Sequence, residues 1–192
     1  MRALKRVVDL LDAENRRIAL AACLFVDGFR QNATPANLQD AQDFIRLGLL
    51  DTRSRLRTDE ARRPQRRNRF AARRAREASL ARHMKEHLDL LEARVQTLER
   101  RRTILRSAAD GLAWIALSHQ PSAIPRLFRP QTHDLPEQRG LIGPLLVQHA
   151  AHRSGRFLVL ENDLTRCLGL GDLTVISIDA RDVPPISIEV KD

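Results

Sequence analysis

At 192 residues the chain has room for one ordinary domain or two small ones. A hydrophobic fraction of 43% is enough for a core, while 4% aromatic residues and no tyrosine leave that core to Leu, Ile, Val and Ala, which favours helices. Lys and Arg number 33 against 24 Asp and Glu, giving a formal charge of +9, and only Lys5, Lys85 and Lys191 are lysines. Such an arginine excess suits bidentate contact with phosphate; a GC-rich coding bias would give the same count.

The composition also argues against several classes. No apolar run approaches the length of a membrane span. Ile18 to Val26 follows Arg16-Arg17 as a signal peptide would, but Asp9, Asp12 and Glu14 precede it and no clean cleavage site follows, so a buried helix segment is the better reading. Cys23 and Cys167 lack metal-ligand spacing and read as small buried residues in a reducing compartment, which points to the cytoplasm.

From Leu4 to Phe29, apolar residues at Leu4, Val7, Val8, Leu11, Ile18, Ala22 and Phe25 keep helical spacing. Thr34-Pro35 then restarts a helix, with Thr34 as N-cap and Pro35 at the first position, where its missing N–H costs nothing. Leu38, Ala41, Phe44 and Ile45 form its buried stripe, and Gly48 marks its expected end. Residues 1–50 therefore read as a helical hairpin without a catalytic grouping.

Residues 53–82 contain twelve arginines against Asp59, Glu60 and Glu77, so this block alone carries a charge equal to that of the whole chain. It repels itself, and around Pro64-Gln65 a flexible connection is expected. Arg62, Arg63, Arg66, Arg67, Arg69, Arg73 and Arg74 are its candidate phosphate contacts, giving salt-dependent binding to DNA or RNA without sequence preference. A solvated linker and helix face explains the block equally well, since Phe70 alone offers no stacking platform.

Residues 70–117 lack proline and predict a long helix, bent or interrupted near Ser107–Gly111. Met84, Leu88, Leu91, Val95, Leu98 and Leu105 step by threes and fours, with Arg102 breaking the seam. That stripe either folds back on the first helices or forms a homodimer through residues 84–105. His83-Met84-Lys85-Glu86-His87 matches the H-x-x-E-H of some zinc proteases, but Met84 and Leu88 fix the buried face and no third ligand is near, so a plain helical segment is preferred. Trp114 reads as a packed core residue. Pro121, Pro125, Pro130 and Pro136 make residues 119–136 a linker after the long-helix region of 51–118.

A helix from Glu137 to about His152 follows, then a strand at Arg156–Glu161 and a loop to Gly171. The last stretch is two β-branched runs, Leu173-Thr174-Val175-Ile176-Ser177-Ile178 and Ile186-Ser187-Ile188-Glu189-Val190-Lys191, separated at Asp179-Ala180-Arg181-Asp182. A four-residue loop pairs Ile178 with Val183, and counting outward sets Asp172 opposite Glu189. Asp172, Thr174, Ser187 and Glu189 then share one face, with Lys191 further along it. Leu173, Val175, Ile186, Ile188 and Val190 make the other, apolar face. Two opposed carboxylates can hold a hard divalent cation, and a neighbouring lysine can offset developing negative charge.

Asp172 followed by Glu189-Val190-Lys191 at the end of an apolar strand resembles the signature of the PD-(D/E)XK, or restriction-endonuclease-like, nuclease superfamily. The resemblance covers about the last quarter of the chain, and Gly171 stands where the family name has Pro. It implies that Asp172 and Glu189 are ligands of Mg²⁺ or Mn²⁺, that Lys191 is the catalytic lysine, and that residues 137–192 are the front half of a nuclease core that normally continues beyond the lysine with a helix and a strand. Glu137 occupies the place where that superfamily often carries an additional acid. The expected architecture is therefore α+β: a mostly helical N-terminal region with a long arginine-rich, coiled-coil-like helix, then a helix and a three-stranded antiparallel partial core. The function expected is metal-dependent phosphodiester hydrolysis, and the alternative is a non-enzymatic helical interaction or nucleic-acid-binding protein.

Overall fold

The computed structural model describes residues 2–74, 78–118, 120–128, 142–168, 170–180 and 182–190, and within these all side chains except those of 2–5, 7, 69–74 and 78–83. The elements are α1 (Arg2–Gln31), α2 (Pro35–Arg74), α3 (Ala78–Ala116), α4 (Ala123–Leu127), α5 (Ile142–Ser154), β1 (Phe157–Glu161), β2 (Leu173–Ser177) and β3 (Ile186–Ile188), with a 3-10 turn at Asn162–Leu164. The chain is thus α+β, mostly helical with a small antiparallel sheet at its C-terminal end. It divides into two compact units, Met1–Leu20 with Leu50–Ile104 and Ala21–Leu49 with Leu105–Asp192.

Thr34 caps α2 as its position suggests, its Oγ1 accepting the Asn37 N–H at 3.2 Å. The helix does not end at Gly48. A Cβ there would lie 2.9 Å from Leu105 Cδ1, so this glycine serves close approach of α2 to α3 rather than termination. Nor is there a flexible connection around Pro64-Gln65, because α2 continues through Pro64 to Arg74; residues 75–77 of the arginine block lie outside the described residues. Pro64 costs the helix one backbone hydrogen bond, but arginine is a good helix former and the block is braced from outside itself.

That bracing comes from α3 in the first unit. Arg63 and Arg67 both donate to Glu92 Oε1, at 3.2 and 3.0 Å, and Arg94 Nε donates to the buried Asp59 carboxylate at 3.1 Å. Along α1, Asn15 Nδ2 reaches the Thr97 carbonyl at 3.0 Å. Arg101 is 1% exposed, its Nε donating to Asn15 Oδ1 at 3.1 Å and its Nη2 lying 2.8 Å from Glu14 Oε2. The seam predicted an arginine at 102, but an ideal helix drifts against a 3.5-residue repeat and brings 101 inward instead, where Asn15 accepts its Nε–H and the Glu14 and Asp51 carboxylates offset its charge. Leu91 and Leu98 of the predicted stripe are buried, as is Leu56 of α2.

In the second unit, Phe29, Leu38, Ala41, Ile45, Leu105, Ala109, Leu112, Ala113 and Leu117 are buried, and the Phe25 and Phe44 rings lie 4.9 Å apart. The α3 helix is unbroken at Ser107–Gly111. Trp114 is 51% exposed, not packed, because the inward positions 105, 109, 112, 113 and 116 leave it about 100° off the buried stripe. Cys23 is likewise exposed. Residues 119 and 129–136 of the expected linker lie outside the described residues, while 120–128 form a turn and α4. Glu137 and the expected start of the next helix also lie outside them, and α5 is described from Ile142.

The sheet order is β1-β2-β3, antiparallel throughout. The open edge of β1 is closed by a side chain: Gln42 of α2 donates from Nε2 to the Val159 carbonyl at 2.9 Å, and its Oε1 accepts the Glu161 N–H at 2.8 Å. A primary amide presents the same donor and acceptor as a peptide group, so Gln42 stands in for one residue of a further strand. Arg46, one turn further along α2, forms a buried ion pair with Glu161, with Gln148 of α5 accepting from its Nη2 at 3.2 Å.

Candidate catalytic hairpin and nucleic-acid interface

The register of the final hairpin is Leu173↔Ile188, Thr174↔Ser187 and Val175↔Ile186. This is the register that the sequence predicts for these residues, and Asp172 and Glu189 each lie one residue outside its last regular pair. The loop at the other end is longer than four residues, since regular pairing stops at Val175↔Ile186 and Ile178 and Val183 lie outside the strands. Pro184-Pro185 supplies no N–H and cannot extend the ladder. A turn closed by the Val183 N–H on the Ala180 carbonyl, 3.2 Å, makes the connection instead.

Beyond Leu173↔Ile188 the two strands stay joined through Asp172. Its N–H donates to the Ile188 carbonyl at 2.9 Å, and its Oδ2 accepts the Val190 N–H at 2.7 Å. Asp172 therefore grips the residues on both sides of Glu189. Glu189 itself is exposed, Asp172 half-buried, and Lys191 lies outside the described residues. The face between these carboxylates and the core is not solvated: Thr174 is 0% exposed, and Ser187 is half-buried with its Oγ donating to the Leu170 carbonyl. On the face expected to be wholly apolar, Leu173 is buried but Ile186 is 59% exposed, because β3 is the outer strand of the sheet.

The approach to Asp172 is built by residues that sequence reading passed over. Gly171 has φ 69°, and a Cβ on it would meet Ser187 Oγ at 2.5 Å and the Ile188 carbonyl at 2.8 Å. Proline, with φ locked near −65°, could not occupy this turn. Asn162, fully buried just after β1, donates from Nδ2 to the carbonyls of Leu170 and Gly171 at 2.8 and 3.2 Å and accepts from Thr174 Oγ1 at 2.8 Å. Earlier in the loop, Asp110 of α3 accepts the N–H groups of Arg166 (2.6 Å) and Cys167 (3.2 Å) and pairs with the Arg166 guanidinium. Burial, reinforced by the Asp110 carboxylate, pushes the Cys167 thiol up to about 12. The only sequence signal for these roles was the polar pair Asn162-Asp163 after an apolar strand.

Asp172 leaves Oδ1 without a protein donor among the described residues and Glu189 is exposed; carboxylate oxygens are hard donors of the kind that Mg²⁺ and Mn²⁺ prefer. Among the described residues no group of three or more His, Cys, Asp and Glu side chains could hold a metal ion, and His87 of the H-x-x-E-H segment is exposed on α3.

The candidate phosphate-binding arginines all fall on α2, in the first unit. Arg62 is exposed and Arg66 half-buried, while Arg63 and Arg67 are held by Glu92, whose carboxyl their hydrogen bonds keep below the usual range. The side chains of Arg69, Arg73 and Arg74 lie outside the described residues, although their backbone continues α2. Among the described residues, no helix is long and apolar enough to cross a membrane. No family model, curated protein or solved structure matches the chain.

Proposed function

We propose that this chain belongs to a metal-dependent nuclease of PD-(D/E)XK type that hydrolyses phosphodiester bonds in DNA or RNA. The observation that supports this most directly is the register Leu173↔Ile188, with Asp172 and Glu189 each one residue beyond it, together with the two bonds by which Asp172 holds the residues flanking that glutamate. In this reading Asp172 and Glu189 hold Mg²⁺ or Mn²⁺, and the bound ion supplies Lewis-acid stabilisation of the phosphoryl oxygens and a lowered pKa for the attacking water. The Val190 N–H aims the Asp172 carboxylate, and Lys191 contributes positive charge toward the reacting phosphoryl group. The arginines of α2 bind nucleic-acid backbone without reading sequence. Free Cys23 and Cys167 suit a reducing compartment such as the cytoplasm.

The exposed and half-buried arginines of α2 also support a second reading, a nucleic-acid-binding protein without hydrolysis. One experiment separates the two. Plasmid and single- and double-stranded oligonucleotides are incubated with the protein in Mg²⁺ or Mn²⁺, alongside EDTA controls and Glu189→Ala. Cleavage abolished by EDTA and by the substitution is expected. Binding without cleavage supports the second reading, and cleavage that survives both controls overturns the assignment of Asp172 and Glu189.

A further inference from the structure

Asp172 lies just outside the regular β2–β3 ladder, so something other than that strand pairing must fix it. Its carbonyl accepts the Asn162 N–H at 3.0 Å, one step beyond Glu161↔Leu173. The Asn162 side chain grips the segment on either side. Nδ2 holds the Leu170 and Gly171 carbonyls, so the peptide group entering Asp172 is fixed, and Oδ1 holds the Thr174 hydroxyl two residues beyond. With both flanking peptide groups pinned, and Gly171 in a left-handed turn that no bulkier residue fits, Asp172 keeps only its side-chain torsions, and these are spent on the Val190 N–H.

We propose that Asn162 is a positioning residue that sets the Asp172 carboxylate beside Glu189. The effect on cation binding rests on the nuclease reading; the effect on Asp172 does not. Asn162 sits in the loop where a hydrophobic residue would satisfy burial, yet its side-chain bonds and its own N–H converge on 170–174, while its carbonyl holds Thr165. An amide is required there: a carboxylate would set oxygen against the Leu170 and Gly171 carbonyls, and an aliphatic side chain would take the Nδ2 donor from both, leaving the Leu170 carbonyl only the Ser187 hydroxyl.

The test compares wild type with Asn162→Ala, Thr174→Val and Thr174→Ser. Amide hydrogen exchange at Val190 reports whether the Asp172 carboxylate is in place, and Mn²⁺ affinity by calorimetry reports the ligand geometry. Thr174→Ser keeps the hydroxyl and is expected to match wild type. Thr174→Val and Asn162→Ala should exchange faster at Val190, with β1 and β2 amides unchanged, and bind Mn²⁺ about 10–100-fold more weakly, the usual effect of losing a group that orients a metal ligand. If Val190 exchange in folded Asn162→Ala or Thr174→Val equals wild type, the inference is wrong. Should Asn162→Ala not fold, Thr174→Val decides, since it removes a single hydroxyl. If wild type binds no Mn²⁺, the nuclease reading fails, and Val190 exchange still decides the role of Asn162.

Discussion

Arg46 of α2 and Glu161 at the end of β1 form an ion pair with side chains 8% and 6% exposed, linking residues 115 apart in sequence. Its Nε donates to Glu161 Oε2 at 2.9 Å and its Nη2 to Oε1, a bidentate geometry, and Asp43 and Gln148 take the remaining donors. Removing Arg46 leaves the Glu161 carboxylate buried without its counter-charge, and removing Glu161 leaves Arg46 only the half-exposed Asp43. Arg46→Met or Glu161→Leu should each cost about 3–5 kcal/mol in urea unfolding, while the double substitution should recover much of that loss. Equal destabilisation by the single and double variants would show that the pair is not coupled.

The two left-handed glycines should differ in their tolerance of a methyl group. Gly155 has φ 67° with nothing within 4 Å of an added Cβ, so Gly155→Ala should cost only the backbone term, about 1–2 kcal/mol. Gly171→Ala adds a collision with the Ile188 carbonyl and Ser187 Oγ to that term. It should be the more destabilising of the two by thermal unfolding, and it should also weaken Mn²⁺ binding, because the strand end that carries Glu189 must move.

The two cysteines should separate by reactivity. The Cys167 thiol, raised from 9.0 to about 12 by burial and by Asp110, holds its proton more tightly folded than unfolded. Its contribution to stability is complete below pH 9 and is lost as pH rises from about 9 through 12. Near pH 8 a thiol reagent should modify exposed Cys23 quickly and Cys167 only after denaturation. Fast modification of both in the native protein would contradict the buried placement.

Glu92 competes with any phosphate for Arg63 and Arg67. Glu92→Gln removes the charge that holds these two guanidiniums, so nucleic-acid affinity should rise, and the slope of log K against log salt should steepen by up to about 0.9 for each phosphate newly engaged on a duplex. Because those hydrogen bonds lower the pKa of Glu92, its pairing persists below the usual carboxylate range and is lost as pH falls through the lowered value. Unchanged affinity and slope in Glu92→Gln would show that Arg63 and Arg67 do not meet phosphate.

Helix and strand identity was legible because it rests on local periodicity. The β-branched alternation around Thr174 and Ser187 fixed not only the strands but their register, since a slip of one residue would turn Leu173 to the wrong face. What misled was punctuation. Gly48 and Pro64 read as breaks, but a glycine in contact with Leu105 and a proline inside an arginine-rich helix are both tolerated when another helix packs alongside.

The sequence by itself determined the α+β class and the pairing of the last two strands, both consequences of local spacing along the chain. Tertiary structure alone decided that Gln42 closes the edge of β1, that Arg101 rather than Arg102 turns inward, and that Asn162 anchors the approach to Asp172. Each of these depends on a polar side chain finding a partner far away in the chain, and a buried amide or guanidinium is stable only where that partner waits. No local pattern encodes such a meeting.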